Sequence, residues 1–136
     1  MTVDTNYGNQ TLGYWAASGG GDLPTPWVDA SGYASISVIA AGTGGGTKKV
    51  KVEFSDVDTG TDPVNAKAAD YRGIGDNTVG SDGKVGAATN SAIIDVQVIP
   101  TKRYVKATYD PGTGSPVSFV LLRGEMAYQK PTGDQI

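Results

Sequence analysis

The chain has 136 residues, 38% hydrophobic and 18% charged, with 20 Gly, 7 Pro, no Cys and no His. That length suits one domain with a sizeable core, and a net charge of -3 offers no basic surface to attract nucleic acid. Without imidazole or thiol, Ser-His-Asp and Cys-His nucleophilic catalysis are excluded, as are zinc, haem and iron–sulfur sites built from His or Cys, and no cofactor is expected.

Gly and Pro together supply about a fifth of the chain, against roughly 12% on average, so turns are frequent and long helices disfavoured. Residues 1–26 are poor in aliphatics and hold Ser18-Gly19-Gly20-Gly21 followed by Pro24-Thr25-Pro26. Triglycine is flexible and Pro-x-Pro cannot continue a sheet interior, which predicts an N-terminal arm or extended loop over 1–26. A short strand around Thr11 to Ala16 is the one element expected there, and a sandwich domain is expected over 27–136. The opening residues lack a basic stretch and an apolar run, so no secretory signal is expected. The apolar runs are far below the roughly 20 residues of a membrane helix, so no membrane partner is expected either.

From Tyr33 the period becomes two. Ile36, Val38 and Ala40 share a face, with Ser35 and Ser37 opposite, before the turn at Gly42-Thr43-Gly44-Gly45-Gly46. Val50, Val52 and Phe54 then alternate strictly with Lys49, Lys51 and Glu53, the pattern of a half-buried antiparallel strand. Residues 56–91 read mostly as loop, with one or two helical turns over Ala66 to Tyr71 stopped by Gly73 and Gly75. Ser81-Asp82-Gly83, between Val79 and Val85, reads as a hairpin tip.

Strands return with Ile94, Val96 and Val98 on one face, then Val105, Ala107 and Tyr109 after a turn at Pro100-Thr101-Lys102. Asp110-Pro111-Gly112-Thr113-Gly114 turns the chain into a last strand from Val117, expected to reach Met126 to Tyr128. Its run Phe119-Val120-Leu121-Leu122 is apolar on both faces, which places it centrally or against a partner. Short strands between turn clusters predict an all-β fold, an antiparallel β-sandwich of jelly-roll type.

Few constellations carry chemistry. Asp56, Asp58 and Asp62 alternate in a way that can gather oxygens around a hard cation. The EF-hand pattern fails, however, because its glycine and bidentate glutamate positions hold Thr61 and Lys67, and a solvated turn is the simpler reading. No catalytic residue is expected. The glycine runs lack the following Lys-Ser or Lys-Thr of a phosphate loop. Tyr7, Tyr14, Trp15, Trp27 and Tyr33 crowd the first quarter. Aromatics with a polar tip suit a cover over one end of the sandwich, an interface or sugar stacking. Tyr7, Tyr14, Trp15 and Trp27 are the interface candidates.

Two segments carry a resemblance. Lys102-Arg103-Tyr104-Val105-Lys106-Ala107-Thr108-Tyr109, with Val117 to Leu122 and the closing Lys130-Pro131, resembles the C-terminal half of small structural proteins of tailed bacteriophage virions. Trp27-Val28-Asp29 and Val50-Lys51-Val52-Glu53-Phe54-Ser55-Asp56 fit the same group. The resemblance implies a non-enzymatic capsid decoration or cement protein, made in the host cytoplasm and located on the virion surface. It also implies a major capsid protein shell as partner and self-association as a homo-oligomer, in this group often a homotrimer. The same strand phrases are similar to carbohydrate-binding jelly rolls, so a glycan-binding module or a tail or fibre component is the alternative. Those domains continue with Asp-Gly and an aromatic where this chain has Val57-Asp58-Thr59-Gly60.

Overall fold

Strict alternation builds the centre of the molecule. Val50, Val52 and Phe54 are fully buried, while Lys49, Lys51 and Glu53 point to the opposite, part-exposed face. The structure, a computed structural model, describes residues 9–43, 47–72, 79–86, 93–112 and 117–126. Among these, eleven strands run in chain order: β1 (Asn9–Ala17), β2 (Leu23–Pro24), β3 (Val28–Asp29), β4 (Tyr33–Gly42), β5 (Lys49–Ser55), β6 (Val64–Asn65), β7 (Tyr71–Arg72), β8 (Lys84–Gly86), β9 (Ile93–Val98), β10 (Tyr104–Asp110) and β11 (Ser118–Met126). A single 3₁₀ turn, Ala68–Asp70, is what the predicted helical turns become. Gly73, Gly75, the triglycine 44–46, Thr113, Gly114, Tyr128 and the Lys130-Pro131 pair lie outside the described residues.

The strands form two antiparallel sheets. Sheet A has the order β1-β11-β4-β9-β7, and sheet B the order β2-β10-β5-β6, with β3 also on β10 and β8 also on β5. Consecutive strands alternate between the sheets at most connections, which is the wrapping of a jelly roll. Between the sheets lies one core. Ile36, Val38, Ala40, Ile94, Val96, Val98, Val120 and Leu122 fill it from sheet A; Val50, Val52, Phe54, Val85, Val105, Ala107 and Tyr109 fill it from sheet B. The all-β sandwich expected from the periodicity is therefore the observed fold.

Local chemistry fixes the turns where it was expected to. Gly83 has φ +80°, and the Val79–Val85 bridge closes the Ser81-Asp82-Gly83 tip. One expectation needs correction. Of the stretch read as an arm, residues 9–26 carry two strands, one in each sheet: β1 pairs with β11 and β2 pairs with β10. Gly19 (φ +103°) and Gly20 (φ +91°) let the chain cross between the sheets there. Thr25, almost fully buried, accepts at its Oγ1 from the Ala107 amide at 3.1 Å and so ties the Pro24-Thr25-Pro26 segment to the core. Glycine and proline here mark a corner of the sandwich, not a tether.

Candidate interaction face

The registers stack the outward side chains of sheet A into rows. Ala16, Phe119, Ala41 and Ile93 form the first row, from β1 across β11 and β4 to β9. Tyr14, Leu121, Ile39 and Asp95 form the second. Seven of these eight side chains are apolar or aromatic, and Tyr14 and Ile93 are 56% and 58% exposed. The Tyr14 and Phe119 rings lie 6.0 Å apart at 26°, a stacked pair on the surface. At strand spacings of about 4.8 Å and same-face steps of about 6.8 Å, the two rows span roughly 14 by 7 Å between their outermost Cβ atoms.

A polar band borders this patch. Thr11, Arg123, Ser37, Gln97 and Arg72 form the third row. Beyond it Glu125 accepts from Ser37 Oγ at 2.9 Å and from Ser35 Oγ at 3.2 Å, and Gln97 Nε2 donates to Ser35 Oγ at 3.0 Å. Ser35 is fully buried, so the network supplies the partners that a buried hydroxyl requires.

The outer face of sheet B is of opposite character. Lys49, Lys51, Glu53, Lys84, Lys106 and Asp110 share it with Tyr104 and Thr108. Lys84 Nζ pairs with Asp110 Oδ2 at 3.0 Å, and Lys51 with Glu53 at 3.6 Å. The Asp110 hydrogen bond holds the Lys84 ammonium above the ordinary lysine range. The outer face of sheet B is thus largely charged, whereas that of sheet A carries an apolar patch beside its polar band.

The four aromatic candidates separate. Tyr14 stands on the outer face of sheet A. Trp15, one residue on, faces inward, packs against the core and lies back over Gly13, where an added Cβ would fall 2.1 Å from its ring. Trp27 covers the sheet B side: its indole lies against Gly60, and Lys106 Nζ stands 5.8 Å from the ring centroid. Tyr7 lies outside the described residues. Ala16, Ile39, Ala41, Ile93, Phe119 and Leu121 complete the apolar patch and were not among the sequence candidates. The signal for them was the doubly apolar run Phe119 to Leu122, since a central strand with both faces apolar must leave one of them outside.

The aspartate trio does not gather. Lys102 Nζ occupies the space between two of its members, 3.1 Å from Asp62 Oδ2 and 3.6 Å from Asp56 Oδ2. Ser55 Oγ donates to Asp62 Oδ1, and with Lys102 it holds that carboxyl down at about 2. Among the described residues no group of three or more His, Cys, Asp or Glu side chains is placed to hold a metal ion. Nearby, Arg103 Nη2 bonds Asp29 Oδ2 at 2.9 Å; with Ser31 it depresses the Asp29 carboxyl far below the usual range.

Compared with protein-family models and with curated protein sequences, the chain matches none.

Proposed function

We propose that the protein is a non-enzymatic virion structural subunit, a capsid decoration or cement protein that stabilises a phage head by lying on the shell surface. The observation that carries this reading is the contrast between the two outer faces: apolar rows on sheet A, ion pairs on sheet B. A subunit that grips a shell needs one dry face to bury and one wet face to present to solvent, plus a rigid core to hold both. Apolar area contributes roughly 25 cal/mol per Å² when it leaves water, so a patch of this kind favours docking without any catalytic group. The virion resemblance of the β5 and β10–β11 segments supports the choice of a shell as partner.

The alternative, a carbohydrate-binding or fibre component, draws on one observation: the stacked Tyr14 and Phe119 rings offer a small aromatic platform. Cosedimentation with assembled shells separates the two. Burial of the sheet A face predicts that the protein pellets with shells and stays bound as salt is raised, because apolar contact is not screened. A protein left in the supernatant at every salt concentration overturns the capsid reading. Shifts of the Tyr14 ring resonances on adding polysaccharide, without shell binding, favour the alternative.

A further inference from the structure

β1 is an edge strand: it pairs with β11 on one side, and no described residue pairs with it on the other. Such an edge presents a row of backbone donors and acceptors, which proteins ordinarily blunt with charge, proline or shortness. Among the described residues, the other outermost strands are short. β7 is two residues ending in Arg72, β2 is two residues ending in Pro24, β3 is two residues ending in Asp29, β6 is two residues, and β8 is three residues beginning with Lys84. β1 differs: nine residues with no charge and no proline, interrupted by one register shift between Thr11 and Gly13. Past that shift, Gly13 to Ala17 is a regular segment.

That segment is complementary to itself. Directly opposed residues of an antiparallel pair point to the same face, so a two-fold axis at Trp15 sets Tyr14 of one copy opposite Ala16 of the other. On the outer face a large ring then meets a methyl group; on the inner face Gly13 meets Ala17. Trp15 meets Trp15 there, with each indole lying back over its own Gly13 and so leaning away from the other. A two-fold axis at Tyr14 instead brings Trp15 of one copy opposite Gly13 of the other, where that copy's own indole already lies. We propose that a second copy of this chain pairs antiparallel along β1, on a two-fold axis at Trp15, joining two A sheets into one. The apolar rows of both copies, which run out to the edge at Tyr14 and Ala16, then become continuous. Five paired residues bury less than the ~1,600 Å² of a standard stable interface, so the pairing is reversible and its extent follows concentration. It rests on the β1 edge and stands whether or not the capsid reading does.

Sedimentation velocity of the full chain over a concentration series tests this directly. The expected result is a monomer–dimer equilibrium that Ala16→Lys abolishes while leaving circular dichroism and melting temperature unchanged, since Ala16 is exposed. Because the chain has no cysteine, introduced thiols report the register without background. A mixture of Tyr14→Cys and Ala16→Cys chains should oxidise to a covalent dimer faster than either variant alone. Four results overturn the proposal: a monomer at every concentration, a trimer, a dimer indifferent to Ala16→Lys, or thiol mixtures no faster than single variants. A monomer overturns it whatever Ala16→Lys does to shell binding, because Ala16 also lies on the apolar face.

Discussion

Lys102 Nζ sits 3.1 Å from Asp62 Oδ2 and also reaches the Asp62 carbonyl at 3.2 Å, so one ammonium ties down the loop that follows β5. Asp62 titrates at about 2 in the fold against 3.8 for an ordinary aspartate, because Ser55 and Lys102 both bond its charged form. A depressed carboxyl contributes stability that is complete above 3.8 and is lost as pH falls toward 2. Asp62→Asn should therefore be less stable than the parent at neutral pH, with the difference vanishing on acidification; urea midpoints across that range measure it. Added calcium should leave both melting temperatures unchanged.

Gly60 and Trp27 form a close contact that one methyl group disrupts. Gly60 has φ +68°, and a Cβ there would lie 2.1 Å from Trp27 Nε1. Gly60→Ala combines a left-handed backbone with overpacking, and about 2–4 kcal/mol of lost stability is expected. Chemical denaturation gives the loss, and the indole emission of the folded variant should move toward longer wavelength as the ring is pushed outward.

Two buried tyrosines lack a hydroxyl partner among the described residues, Tyr71 and Tyr109. Removing an unsatisfied hydroxyl relieves a desolvation penalty of about 1 kcal/mol, so Tyr109→Phe should keep or raise the melting temperature. Burial pushes the Tyr71 phenol up to about 12. Its contribution is then intact below pH 10 and fades as pH rises toward 12, because the unfolded chain ionises first. Tyr71→Phe should shift the alkaline unfolding midpoint upward.

The two outer faces should respond differently to charge. Ile93→Asp places a carboxylate beside Asp95 on the apolar patch while replacing an already exposed side chain, so stability should change by only about 0.5 kcal/mol. Shell cosedimentation should be lost. Lys106→Ser on sheet B should leave it intact, and equal losses from both variants would refute the assignment of the docking face.

Much of this was legible before the structure. Strict alternation at Lys49 to Phe54, and again at Ile94 to Val98 and Val105 to Tyr109, fixed strands and their inward faces because a period of two has one reading in a half-buried sheet. The N-terminal strands were underestimated. Glycine and proline signal where a backbone bends, but they do not say whether the segment between bends finds a partner ninety or more residues away, as Trp15 does at Val120. For the same reason the patch was only half visible. Tyr14 was named for its aromaticity, whereas Ile39, Ala41 and Ile93 join it through register, which no local window contains.

Sheet A places the first described strand against the last, β1 on β11, and β11 in turn on β4. A nascent chain therefore cannot complete this sheet until β11 has left the ribosome. Until then Val38 and Ala40 on β4 lack the Leu122 and Val120 neighbours that close the core. Closing the sheet must wait for contacts of high sequence separation, which makes folding comparatively slow. Premature termination anywhere before Ser118 should accordingly yield an insoluble fragment, not a shortened but native-like protein.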